Sequence, residues 1–356
     1  MNTLTLALPP PVPARATSAR WVAPAAWTLL AIALAVLVVP LWASDYVSSA
    51  VLVPWLVFSL AALGLNLLTG YTGQLSVGSS AFMSIGAFAT YNLALRCPGL
   101  GLVPAMLIGA LVAALFGVLV GLPSLRIKGF YLIVSTLAAQ FFVEWVFVKF
   151  GWFSNYSASG VISAPALVVA GVDVSSPAGR YLFTLAVVVA LTAFASRLVR
   201  GPTGRRWMAV RDMDTAAAVL GIPIAQVKLQ AFAVSSFYLG VAGALWAFAY
   251  VGTVEPHGFD LARSFQILFI VIIGGLGSIL GCFLGAAFIV LFPVLLSTVA
   301  GQHLGGLIDP GNLENAQKIV FGALIIGFLI KEPEGLARLC VNGCRRLRHW
   351  PLSPPG

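Results

Sequence analysis

The chain is cut into long apolar blocks, and that pattern limits what it can fold into more than any motif does. Trp27 to Ala43 and Val103 to Leu122 contain no charged residue, and apolar runs of about 18 or more residues mark helices that cross a bilayer. Composition agrees: 60% of residues are hydrophobic, 9% are charged and the mean hydropathy is +1.00, where a soluble domain carries about 25% charged residues. A soluble chain of 356 residues would form about two domains, but here the polar residues are too few to wrap a core. The apolar surface must face lipid, so the expected class is an all-α polytopic membrane protein.

Apolar runs place spans at 27–43, 50–69, 75–95, 102–122, 129–148, 181–199, 229–251, 264–280, 282–299 and 318–331. Residues 1–26 are rich in Pro and Ala, with Arg15 and Arg20 but no acid. They resemble the start of a signal sequence, yet with so many spans behind them an uncleaved first helix is expected. An even number of spans puts both termini on one side. If that side is cytoplasmic, 15 of the 20 basic residues lie inside, among them Arg126, Lys128, Arg205, Arg206, Arg211 and Arg345. Arg96, Lys149, Arg180, Arg263 and Lys318 lie outside with most of the acids. The positive-inside rule therefore favours cytoplasmic termini. The domain plan is a tail at 1–26, a transmembrane domain at 27–331 and a basic cytoplasmic tail at 332–356. Two long loops interrupt the spans, an outer one at 149–180 and an inner one at 200–228. In the inner loop, Gly201, Pro202 and Gly204 close the preceding span, and Gly221 with Pro223 marks a second stop. Arg205 to Leu220 between them predicts a short amphipathic helix.

Charge and chemistry exclude several classes. The net charge of +9 is scattered between apolar blocks, whereas nucleic-acid binding needs a clustered basic face. Of the four cysteines, Cys97 and Cys282 stand alone, and Cys340 and Cys344 lack ligand partners at zinc spacing. His257, His303 and His349 are dispersed among predicted loops and the tail, so neither a metal nor another cofactor is expected. None of the lysines is followed by Ser or Thr, which excludes the Gly-Lys-Ser/Thr phosphate loop of an ATPase. Glu144 is the one acid within a predicted span, about one turn from its outer edge, where a carboxylate can snorkel. Without a central chain of carboxylates, a proton-driven carrier is hard to build.

Two polar, glycine-rich stretches fall at membrane depth. In Leu65 to Ser80, Asn66, Thr69, Thr72, Gln74 and Ser76 crowd the junction of two spans. In Ile273 to Gly281, Gly274, Gly275 and Gly277 break an apolar run. Irregular backbone at that depth is tolerated only where protein or a water-filled cavity satisfies it. Both stretches therefore point inward and are candidates for a translocation path. Close packing through small residues is the alternative for both stretches, although Asn66 and Gln74 go beyond what packing requires.

Three blocks carry a resemblance. Gly64 to Gly78, Gly204 to Ile222 with Lys228 to Ser236, and Val271 to Gly281 are similar in order and spacing to the permease subunits of Liv-type ABC importers of branched-chain amino acids, over roughly 50–330. The resemblance implies a bacterial inner-membrane permease that works with a second homologous permease subunit, two cytoplasmic ATP-binding subunits and a periplasmic solute-binding protein. The missing phosphate loop is then explained, because ATP hydrolysis resides on partner chains and this subunit is not an enzyme. It also implies that a short helix near 212–221 fits the ATPase. Ala216, Ala217 and Leu220 would form its apolar face, Arg211, Asp212 and Asp214 its polar contacts, and Gly221 its end. The outer loop would help dock the binding protein.

The chain departs from the family pattern in that outer region, with Ala139-Gln140 where a Gly-Glu pair is common and Ser154 to Gly160 where a Thr-Gly-Gly…Asn-Gly-Leu stretch is common. Cargo is therefore left open among branched-chain or related amino acids, urea, amides, sugars and aromatic acids. A self-sufficient secondary carrier or channel is the alternative of a different class.

Overall fold

The computed structural model describes residues 44–303 except 98, 126–128, 158–159, 166 and 170, together with 319, 322–323, 326–327 and 335–340. The expected first span, most of the last one and most of both tails lie outside the described residues.

Helices dominate because their backbone groups are satisfied internally, which a bilayer demands. They are α1 (Val47–Thr72), α2 (Ser79–Arg96), α3 (Leu102–Ser124), α4 (Phe130–Lys149) and α5 (Pro177–Arg200). After these come α6 (Pro202–Asp212), α7 (Asp214–Val219), α8 (Ile224–Val251), α9 (Leu261–Gly274) and α10 (Ile279–His303). Among the described residues six helices are long and apolar enough to cross a membrane, and a shorter apolar segment covers Ile279–Val294. The chain is an all-α polytopic membrane protein.

Local chemistry sets the helix ends. Ser176 caps α5 by accepting from the Gly179 N–H at 3.1 Å, and Pro177 occupies the first turn, where no donor is needed. Asp260 caps α9 in the same way through the Arg263 N–H at 2.9 Å. At the end of α1, Gly73 adopts φ +71°, and its N–H turns back to the Leu68 and Thr69 carbonyls.

α1 and α8 form the centre, 89% and 83% buried over their apolar windows, against 22% for α5. Small residues let the central helices approach backbone to backbone. A Cβ on Gly86 would overlap the Gly240 backbone, one on Gly243 the Met83 backbone, and one on Gly117 the Ser236 side chain. Membrane helices associate through such close contacts, since lipid offers no hydrophobic drive between them.

The structure redraws three expected boundaries. The expected 75–95 span becomes helical only at Ser79, and 73–78 is irregular. The break in the second glycine-rich stretch is at 275–278, so α9 ends at Gly274 instead of 280; Gly275 and Gly277 have φ of +109° and +74°, which end a helix. The single helix expected over 205–220 is two, because Met213 is extended at φ −160°. The 149–180 loop, expected outside, contains short strands: β1 (Ile162–Ser163) pairs with β4 (Thr253–Val254), and β2 (Val168–Val169) pairs with β3 (Val172–Asp173).

Candidate functional site

The two irregular stretches meet. Asn66, fully buried in α1, donates from Nδ2 to the Ser278 carbonyl at 3.1 Å, while its Oδ1 accepts from the Gly277 N–H at 2.9 Å. One side chain thus satisfies both a donor and an acceptor of the α9–α10 break. Ser278 in turn caps α10 through the Gly281 N–H at 3.1 Å. Gly70, one turn after Asn66, has no room for a Cβ, which would overlap Asn66 Oδ1 and the Gly277 N. Gly274 and Gly281 are equally close, so packing and the break use the same glycines.

A second cluster holds the start of α2 at mid-depth. Thr136 of α4 accepts from the Val77 N–H at 3.1 Å, Ser264 of α9 from the Ser80 N–H at 2.9 Å, and Gln140 Oε1 of α4 from the Ala81 N–H at 2.6 Å. Gln140 Oε1 also accepts from the Ser264 hydroxyl at 3.2 Å, and its Nε2 donates to the Phe259 carbonyl at 2.8 Å. Gln140 lies about 15 Å along α4 from Phe130, so this helix start is well inside the bundle. The orphan donors of a helix N-terminus need such partners where no bulk water reaches. Gln140→Leu would leave Ala81 N–H, the Phe259 carbonyl and one Ser264 contact unanswered, at a cost of about 2–5 kcal/mol. Thermal unfolding of the detergent-solubilised chain is expected at clearly lower temperature for this variant, and an unchanged transition would contradict the capping role.

Around this start, Thr69 donates to the Gln74 carbonyl at 3.2 Å and Gln74 Nε2 to the Thr72 hydroxyl at 3.2 Å. Ser76 Oγ accepts from the Gly78 N–H at 3.4 Å. Gln74 Oε1, Ser79 Oγ and Ser80 Oγ are buried without a partner among the described residues. The structure therefore joins Asn66 to the break at Gly277, while the hydrogen bonds of Thr69, Thr72, Gln74 and Ser76 are made within residues 68–78.

Where the irregular 73–78 stretch meets α6 and α7, a cleft of about 380 Å³ opens, lined by Thr72, Gly73, Gln74, Leu132, Arg211, Asp212, Asp214 and Lys228 among others. Arg211 pairs with Asp212 at 2.8 Å and also donates from Nη1 to the Gly70 carbonyl at 3.0 Å. Lys228 Nζ stands 3.9 Å from Asp214. Ala217 is buried, whereas Ala216 is exposed; Met213, Val219 and Leu220 are exposed as well, the last two by 89% and 79%. At α7's end Gly221 takes φ +79°, and its N–H reaches the Ala218 carbonyl at 3.0 Å.

At the opposite end, the Arg96 guanidinium lies 3.5 Å over the Trp152 ring and donates to the Trp152 carbonyl at 2.9 Å. Asn92 holds the Phe153 carbonyl at 3.1 Å. The polar run after α4 is thus fastened to the end of α2, with Asn155 and Tyr156 left-handed at φ 50° and 56°. Hydrogen bonds from Ser175 hold the Asp173 carboxyl below the usual carboxylate range. Glu144 faces His257 at 3.9 Å.

Sequence reasoning missed Thr136, Gln140 and Ser264 as a group. The available signal was Gln140 itself, an amide within an apolar run, since polar side chains in spans seek partners. Arg263 lies in the first turn of α9, 4.3 Å from the Trp246 ring centroid and 5.6 Å from that of Phe58.

A family model described as branched-chain amino acid transport system / permease component covers residues 47–329. The high-affinity branched-chain amino acid transport system permease protein LivM of Escherichia coli (strain K12) is 30% identical over 304 residues, 79% of this chain and 68% of that protein. A probable branched-chain amino acid transport permease protein LivM of Methanocaldococcus jannaschii is 24% identical over 316 residues, 78% of this chain and 90% of its own length. The autoinducer 2 import system permease protein LsrC of Enterobacter sp. (strain 638) is 29% identical over 189 residues, 52% of each chain. No solved structure matches. With the family model spanning α1 to the last apolar segment, and with the three sequence blocks folded into one junction and its adjoining helix pair, the chain belongs to the branched-chain amino acid transport permease family, the Liv-type ABC permeases.

Proposed function

We propose that the chain is one of two membrane subunits of a binding-protein-dependent ABC importer, carrying branched-chain or related small amino-acid-like solutes. The membrane location rests on the family and the apolar helices; the chain is a multi-pass inner-membrane protein. In this reading ten spans place both termini and the α6–α7 pair in the cytoplasm, where two ATP-binding subunits engage them. A second homologous permease subunit completes the pathway, and a periplasmic solute-binding protein delivers cargo to the folded outer segment around Trp152 and Asp173.

The observation that carries the reading is the exposed apolar ridge of α7. Ala216 and Val219 are exposed at helical spacing on α7, with Met213 exposed just before it and Leu220 just after it, beside charged residues, and a soluble surface rarely presents such a ridge without a partner. Ala217, counted with the contact face on sequence grounds, instead anchors the helix inward. The unpartnered oxygens of Gln74, Ser79 and Ser80 are what water or a polar solute would meet inside the bundle. Similarity to an autoinducer 2 permease over half the chain favours a second reading of the cargo alone, with the same role serving a solute other than an amino acid.

Val219→Asp combined with Leu220→Asp tests the docking surface. Both side chains are exposed, so the unfolding temperature of the purified chain should stay within about 2 °C. Co-purification of the ATP-binding subunits should be lost, and retained co-purification would place the ATPase elsewhere.

A further inference from the structure

We propose that Arg211 is a positioning residue that transmits the movement of α6 and α7 to the α9–α10 break, and that it does so through the Gly70 carbonyl instead of by touching the ATPase. This rests on the permease reading above and adds the atomic route. Arg211 stands at the end of α6, but its Nη1 is spent on Gly70 at 3.0 Å. Asp212 holds Nε and Nη2 from behind at 2.9 and 2.8 Å, which fixes the plane of the guanidinium. The stem of Arg211 crosses Gly73, where a Cβ would lie 3.0 Å from its Cγ. Gly70 lies in the last turn of α1, where carbonyls lack a helical partner and a cation is favoured.

The route continues in the same turn. Gly70 abuts the Gly277 N–H, which is held by Asn66. Two hydrogen bonds on one turn of α1, Arg211 to the Gly70 carbonyl and the Gly277 N–H to Asn66, therefore link α6 to the left-handed backbone at Gly277. A covalent route exists as well, through α8 and residues 252–260 into α9, but it runs the whole length of α8, whereas Arg211 reaches α1 directly. The cleft beside Arg211 supplies the free volume that a shift of α6 against α1 needs. Asn66 accordingly serves as a tie between helices, and a pull on Gly70 shifts the break with it. Coupling of this kind needs a contiguous set of contacts and an element with two arrangements; the glycine break is that element.

The test uses the full transporter, reconstituted in proteoliposomes with its ATP-binding subunits and binding protein, with L-leucine as the probe. The readout is leucine transported per ATP hydrolysed, taken on assembled complexes. For Arg211→Met this ratio should fall about tenfold, the scale of one charge-assisted hydrogen bond, while the ATP-binding subunits still co-purify. Arg211→Lys, which keeps a charged donor, should recover at least about half of the lost ratio. Adding Asn66→Leu to Arg211→Met should lower it less than about twofold further, because both act on one route. Loss of co-purification with an unchanged ratio in the assembled fraction would overturn the proposal and make Arg211 a docking contact. Fully additive effects of the two substitutions would overturn it too. If Arg211→Met fails to insert, Arg211→Gln repeats the measurement under the same criteria. ATP-independent leucine movement by the wild-type complex would instead overturn the permease reading, and that is read before any variant.

Discussion

Gly243→Val is expected to leave little folded protein in the membrane. A Cβ at this position would overlap the carbonyl, carbon and Cα of Met83, all backbone atoms of α2 that no rotamer change can move. Overpacking a core costs about 1–3 kcal/mol when side chains can yield, and here the two helix axes themselves must separate. The contact also lies beside Gly86 and Gly240, where a second backbone pair meets, so a shift at one point opens the other. Size-exclusion profiles of a fluorescent fusion provide the check: the monodisperse peak should fall to a small fraction of wild type. A full peak with a normal unfolding temperature would mean that α2 and α8 are not so closely packed.

Gly70→Ala should abolish transport while allowing some of the chain to fold. The added methyl would sit on Asn66 Oδ1 and the Gly277 N, forcing apart the pair that closes the α9–α10 break. Two buried hydrogen bonds from Asn66 are then lost, at a cost of at least about 3 kcal/mol. Gly101→Ala is the matched control, because its Cβ would meet only Pro104 Cδ at 3.8 Å. Uptake in proteoliposomes should be near background for the first variant and normal for the second. Normal uptake by Gly70→Ala would show that the junction opens without cost.

The spans were legible because lipid rewards long apolar runs whatever their partners are, and α3, α4 and α5 begin or end within a few residues of expectation. What local composition could not convey was depth. Residues 73–78 resemble the start of a span in hydropathy, yet the chain stays irregular there because Thr136, Gln140 and Ser264 accept the donors of an α2 that starts at Ser79. Those three side chains come from α4 and α9, some 60 to 180 residues away, and each looks like an isolated polar residue in its own run. Asn66 and Gly277 were legible as unusual, since an amide and a broken glycine stretch at membrane depth demand partners. That they partner each other is a tertiary fact. In the α6–α7 segment the helical spacing hid the interruption at Met213, and the burial of Ala217 could not be told from the exposure of Ala216. Arg211 looked like a surface charge because its acceptor is a backbone carbonyl in a helix 141 residues away.

The central claim is that this chain moves solute only as part of an assembly powered by other chains. The direct measurement is solute uptake by proteoliposomes containing the purified chain alone, the chain with its second permease, or the full assembly with ATP-binding subunits, binding protein and enclosed ATP. Uptake is expected only in the last case and should stop when ATP is replaced by a non-hydrolysable analogue. Uptake by the chain alone, with or without an ion gradient, would contradict the account.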